Sequence, residues 1–297
     1  MKKGKTETGF EFELDDEVLD DYELLEVLHK VYDRNSMKQR ILQIQPQFQK
    51  GEEWLQLAES HQLYFECMEL STGLFLDRGE QREKAKAWYK NSERVVSIHG
   101  CFMDVNPGSG DEKFRILSMN RCRESCELAV KQNARFVVFH SSAFPFLRGP
   151  YLDIWSERCA KFFRQLAEEY DLTLCIENSF DLDPTPLRML MERLNHPRVK
   201  VCLDIGHANY SHAPLEQWFE ELGEYIEYLH LSDNKGEFDD HLPLGEGGVD
   251  WKLADALYRK LGRNLPMTLE VGGIEGVKKS LRYMENNGLF KEMVCNE

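Results

Sequence analysis

No apolar run in the 297-residue sequence exceeds the length of a β-strand. Stretches such as Phe136 to Phe139 and Leu172 to Ile176 stop far short of the ~20 residues that span a bilayer, so a membrane-spanning helix is not expected. The start is equally short of apolar residues. Gly4 to Asp21 is polar and acidic, the hydrophobic region of a secretory signal is missing, and a cytoplasmic location is expected. None of the eight cysteines (67, 101, 122, 126, 159, 175, 202 and 295) forms a C-x-x-C pair, and several lie inside apolar runs where a thiol packs as a small hydrophobe. All eight are read as reduced. Positive charge is scarce as well: 37 Lys and Arg face 52 Asp and Glu, a net charge of -15 that disfavours a broad electropositive surface for a polyanion. Short repeats, low-complexity tracts and long linkers are also lacking, which leaves one globular domain as the expectation.

What is present is alternation. Eight short apolar runs recur: Ile41 to Ile44, Tyr64 to Leu70, Val95 to His99, Phe136 to His140, Leu172 to Glu177, Val199 to Asp204, Tyr228 to Leu231 and Met267 to Val271. Between them lie segments with helical spacing, including Arg115 to Gln132, Asp153 to Tyr170, Pro186 to Leu194, Pro214 to Leu222, Trp251 to Leu261 and Gly276 to Asn287. Strands apolar throughout and separated by helices describe a parallel sheet covered by helices, and eight such units close into a (β/α)8 barrel of roughly 250 residues. An open doubly wound sheet would place a glycine-rich turn after its first strand, and Ile44-Gln45-Pro46-Gln47 is not one. Residues 1–38 stand apart as an acidic extension, helical from the spacing of Leu19, Tyr22, Leu25, Val27, Leu28 and Val31, and 39–297 form the barrel.

Six of the eight runs end in a residue able to bind a metal: His99, His140, Glu177, Asp204, His230 and Glu270. In a barrel these ends face one mouth, where residues far apart in sequence converge. Any one of them is readily a hydrogen-bonded rim residue or a helix cap. Together they are different, because carboxylates gathered in one buried place repel unless cations neutralise them. Imidazole with carboxylate suits Zn, Mn, Fe or Co better than a site of oxygen ligands alone would. Two local motifs add donors. In Asp204-Ile-Gly-His207 one short loop can present both side chains, and Asp239-x-His241 can supply a carboxylate and an imidazole from one extended segment. Gly245 and Gly247 then let the backbone turn into a helix near Asp250-Trp251. His29, His61, His196 and His212 fall in helices or turns beside polar residues and are assigned no role.

These motifs resemble those of the xylose-isomerase-like TIM-barrel superfamily, from about Ile41 to Asn287. That superfamily includes sugar and sugar-phosphate isomerases and epimerases and the endonuclease IV (AP endonuclease family 2) nucleases. In the epimerase branch two glutamates, an aspartate and a histidine hold one divalent ion, which implies Glu177, Glu270, Asp204 and His230 here. In the nuclease branch nine residues hold three zinc ions, which implies those four together with His99, His140, His207, Asp239 and His241, so the resemblance implies one to three divalent ions, Zn, Mn, Co or Mg.

Two enzymatic readings follow. The resemblance favours, on charge, an isomerase or epimerase of a small sugar or sugar phosphate. Glu177 and Glu270 would move a proton through an enediolate, His207 would bind a substrate hydroxyl, and Lys235, Phe102 and Arg148 would contact substrate. Its partner is a small carbohydrate, with no membrane, and an oligomer is compatible with it. One departure from the epimerase pattern is Lys235, near where those enzymes place an arginine. The alternative is a trinuclear-zinc phosphodiester hydrolase of apurinic or apyrimidinic DNA, with all nine donor types present. It needs basic residues to neutralise phosphates, yet Arg148 and Lys235 share the rim loops with Asp104, Asp111, Asp153, Asp181, Asp183, Glu237 and Asp240. A non-enzymatic alternative is a metal-stabilised binding protein.

Overall fold

The computed structural model describes residues 2–5, 11–14, 40–47, 50–69, 80–90 and 92–293. The chain divides into two units, Met1–Gln39 and Arg40–Glu297. In the first, two short strands that the sequence periodicity does not announce, Lys2–Lys5 and Glu11–Leu14, pair antiparallel with Lys2 opposite Leu14. The segment Val18 to Val31, read above as a helix, lies outside the described residues, as does Cys295.

In the second unit eight parallel strands close into a barrel: β1 (Leu42–Ile44), β2 (Tyr64–Met68), β3 (Val95–His99), β4 (Phe136–His140), β5 (Thr173–Glu177), β6 (Val199–Asp204), β7 (Ile226–Leu231) and β8 (Met267–Leu269). Met267 lies opposite both Leu229 of β7 and Leu42 of β1, so β8 joins the last strand to the first and leaves no open edge. The intervening helices are α1 (Gly51–His61), α2 (Glu80–Lys90), α3 (Glu112–Lys131), α4 (Pro150–Glu169), α5 (Thr185–Leu194), α6 (Ile205–Tyr210), α7 (Leu215–Leu222), α8 (Trp251–Lys260) and α9 (Gly273–Asn287). Among the described residues no helix is long and apolar enough to cross a membrane. The seven described cysteines are free and buried.

Because side chains alternate along a strand, each strand serves two cores. Val137, Phe139, Ile176, Leu203, Leu229 and Leu231 face out and join the large apolar layer beneath the helices. Helix α4 fills that layer with Leu152, Trp155, Cys159, Phe162, Phe163 and Leu166, at the three- and four-residue spacing of one helical face. Val138, Cys175, Cys202 and Tyr228 face in and pack on one another inside the barrel. Two positions further along the same inward rows stand His140, Glu177, Asp204 and His230. Register finishes the placement: His140 is opposite Glu177, and Asp204 is opposite His230. The apolar pattern that builds the barrel therefore also delivers these polar ends to its C-terminal mouth.

Candidate metal centre

Four of the side chains at the mouth form one buried group. Ligand atoms of Glu177, Asp204, His230 and Glu270 all lie within 4.8 Å of one another. His230 Nδ1 is 3.1 Å from Glu177 Oε1, 3.0 Å from Glu270 Oε2 and 3.9 Å from Asp204 Oδ2. One oxygen of each carboxylate, Glu177 Oε2, Asp204 Oδ2 and Glu270 Oε2, is buried and receives no hydrogen bond. Three orphaned carboxylate oxygens from three strands are costly in a dry interior and form the donor set a divalent cation satisfies. The residues therefore fit such an ion.

Two further groups flank the first and share its members. On one side His99 Nε2 and His140 Nε2 stand 3.5 and 3.6 Å from Glu177 Oε2. On the other, Asp239 Oδ2 lies between His207 Nε2 at 3.3 Å and His241 Nε2 at 3.0 Å. His207 Nδ1 is also 3.3 Å from Glu177 Oε1. All nine residues read from the sequence thus border one mouth.

Ring orientation is set by what holds the opposite nitrogen. The Nδ1–H groups of His99, His207 and His241 donate to the carbonyls of Gly100 (3.1 Å), Asn178 (2.6 Å) and Glu270 (2.8 Å). That leaves Nε2 as the nitrogen turned toward the carboxylates, the usual support of a metal-binding imidazole. His207 is further placed by α6, whose first turn is capped by Asp204 Oδ1 accepting from the His207 amide at 2.6 Å. Gly206 permits this close turn, since a Cβ there would overlap Ser232 Oγ. Asn178 locks the neighbouring strands together, donating to the Asp204 carbonyl at 3.0 Å and accepting from the Asp204 amide at 2.8 Å.

Electrostatics follow from this mutual burial. Burial pushes Glu177 up, but the surrounding histidines, His230 first, outweigh it and hold the carboxyl well below the ordinary range. Burial pushes Asp204 up to about 7, helped by Glu177 and Glu270. Burial opposes the charging of His99, yet Glu177 raises it to about 9, whereas His140, whose burial is less compensated, falls to about 4. The acids and imidazoles neutralise one another where a cation would otherwise do so.

Of the residues assigned to substrate, Phe102 stands at the centre, its ring 5.3 Å from that of His99 and 4.9 Å from that of His140. Arg148 and Lys235 are exposed on the loops after β4 and β7, and neither side chain is hydrogen-bonded or ion-paired to the nine. Sequence reasoning passed over Glu66, Gln45 and Asn178. Glu66 had a signal, a carboxylate in the middle of the otherwise apolar Tyr-Phe-Glu-Cys-Met. Asn178 had only its place after Glu177.

A family model described as a xylose isomerase-like TIM barrel matches residues 56–287. An uncharacterized protein of Methanocaldococcus jannaschii is 26% identical over 199 residues, 63% of this chain and 68% of the relative. A probable endonuclease 4 of Malacoplasma penetrans is 23% identical over 226 residues, covering 69% of this chain and 73% of that protein. The crystal structure of a D-tagatose 3-epimerase-like protein superposes with a TM-score of 0.69 at 21% identity, over 86% of this chain and 98% of that one.

Proposed function

The chain belongs to the xylose isomerase-like TIM-barrel family, and from that premise we propose that it is a divalent-metal-dependent isomerase or epimerase of a small sugar or sugar phosphate. The observation that carries this reading is the pairing of Glu177 and Glu270. They extend from β5 and from the end of β8, with β6 and β7 between them, both reach His230 Nδ1, and each keeps one buried oxygen without a hydrogen bond, Oε2 in both. Two bases so placed can remove a proton from one face of a carbon and return one to the other, through an enediolate. An ion held by Glu177, Asp204, His230 and Glu270 would supply polarisation of adjacent carbonyl and hydroxyl oxygens and so acidify the neighbouring C–H. His207 would bind a hydroxyl through Nε2, Phe102 would wall the pocket and exclude water, and Lys235 and Arg148 would reach the far end of the substrate. The net charge of -15 supports a small substrate over a polyanion.

A second reading, hydrolysis of a phosphodiester at an abasic DNA site, is favoured by one observation. The flanking groups His99, His140, Glu177 and His207, Asp239, His241 offer two positions beyond the central one. One experiment separates the two readings. The protein is assayed with matched metals for deuterium incorporation from solvent into a panel of ketoses and their phosphates, and for cleavage of abasic duplex DNA at physiological salt. We expect carbon-bound deuterium and its loss in Glu270→Gln, which keeps part of the metal because an amide oxygen still coordinates weakly but is no base. Abasic cleavage without isotope exchange into any sugar would reverse the ranking.

A further inference from the structure

We infer that Glu66 and Gln45 are positioning residues that fix which nitrogen of His230 and which oxygen of Glu270 face the cation, and thereby set the affinity of the central metal position. The inference rests on the metal site of the reading above and is independent of its substrate.

His230 is the exception among the anchored histidines. Its Nδ1 faces the carboxylates, and its Nε2 points into the barrel, 3.1 Å from Glu66 Oε1 and 3.2 Å from Glu66 Oε2. An imidazole whose Nε2–H is donated to a carboxylate must present its lone pair at Nδ1. Glu66 is completely buried, yet both its oxygens are engaged: Gln45 Nε2 donates to Oε1 at 2.9 Å, and the Tyr228 hydroxyl donates to Oε2 at 2.8 Å. In this it differs from Glu177, Asp204 and Glu270, each of which keeps an orphaned oxygen. Glu66 is thus not a metal ligand but the acceptor behind one. Gln45 couples the two sides, because the same Nε2 donates at 2.9 Å to Glu270 Oε1. That contact leaves Oε2 as the glutamate oxygen turned to the central position. Beneath lies a hydrogen-bonded floor in which Tyr228 OH meets Gln43 Nε2 at 2.5 Å, Ser97 Oγ at 2.8 Å and Thr268 Oγ1 at 2.8 Å. Four strands, β1, β3, β7 and β8, are thereby tied to the pair.

The test measures zinc affinity by competition with a chromophoric chelator and reads the His230 tautomer by long-range nitrogen–proton correlation in zinc-loaded protein. We expect Nε2–H with Nδ1 ligating in the wild type. Glu66→Leu should weaken zinc by about 10–100-fold and disturb the His230 tautomer. Glu66→Gln, which keeps an acceptor oxygen, should recover most of the affinity. Gln45→Leu should weaken zinc by about tenfold and leave the tautomer alone. The metal-free melting profile of each variant reports folding, and if Glu66→Leu does not fold, Gln45→Leu decides. Wild-type affinity in folded Glu66→Leu, or in Gln45→Leu, would overturn the assignment. Absence of sugar isotope exchange in the zinc-loaded wild type, with zinc affinity behaving as described, would sink the substrate reading instead.

Discussion

Asp181 is the acid near the mouth whose surroundings disfavour its charge most simply. It lies on the loop after β5, buried, with Oδ2 accepting from Ser141 Oγ at 2.6 Å and from the Ser179 amide at 3.1 Å, while Oδ1 has no hydrogen bond. Burial outweighs these donors and pushes the carboxyl from 3.8 up to about 6. The folded state then holds a proton that the unfolded chain gives up at lower pH, so the associated stability is complete below 3.8 and is lost as pH rises through about 6. The amount is roughly 3 kcal/mol at most. Asp181→Asn has no charge to bury, so the stability of the variant relative to wild type should rise by about 2–3 kcal/mol between pH 4 and pH 7 in denaturant titrations. A difference that stays flat across that range would show that Asp181 is ionised without cost. At this scale the sequence was legible where a polar residue ends an apolar strand, as with His99, His140 and Glu177. It was not legible for Glu66, because a carboxylate inside a strand announces neither its face nor the partner that receives it from another strand.

Among the elements, the loop between β7 and α8 shows how a segment rich in charge is held in one shape. Its organiser is Asp233, buried just past β7. One carboxylate oxygen accepts from the Gly245 amide at 2.8 Å and Trp251 Nε1 at 2.9 Å, and the other from the Val249 amide at 3.1 Å. Its backbone forms a two-way bridge with Leu242, and the intervening chain carries Asp239 and His241 back over the mouth. Gly245 adopts a φ of +85°, and a Cβ on Gly247 would overlap the Asp233 carboxylate, so both glycines are needed for the return into α8. Removing the organiser should loosen the loop before the barrel. Asp233→Ala should cost about 2–4 kcal/mol of stability and strip hydrogen-exchange protection from Gly245 and Val249 while leaving β5 protected. Unchanged protection at those two amides would mean that the backbone bridge alone holds the loop. Element boundaries were legible wherever a strand's apolar run or a helix's spacing was long, as in β4 and α4. Helix α6 was not, since Ile-Gly-His after Asp204 reads as a turn, and its start depends on the Asp204 cap, which also depends on where β6 ends.

For the whole molecule, composition bounded the class, and alternation bounded the fold. The centre itself arises from closure of the barrel, which unites β5, β6, β7 and β8 around a point that no local stretch of sequence contains. That closure has a thermodynamic consequence. The folded barrel gathers Glu177, Asp204 and Glu270 with an unpartnered oxygen on each, whereas the unfolded chain leaves them apart in water. A cation that binds this group binds the folded state alone and must stabilise it, by about 2.7 kcal/mol at a free concentration a hundred times its dissociation constant. For a unit of this size that corresponds to a rise in melting temperature of roughly 5–10 °C. The rise should be reversed by a chelator and reduced in Asp204→Asn, which neutralises a central donor. Titrating zinc and manganese separately extends the argument to ion number. If the flanking positions also fill, the melting temperature of the wild type should continue to climb after the first equivalent. His241→Ala and His140→Ala should remove the later increments and keep the first. A melting temperature unmoved by zinc, manganese, cobalt and magnesium alike would refute metal binding, and with it the need for Glu177 and Glu270 to meet at the barrel mouth.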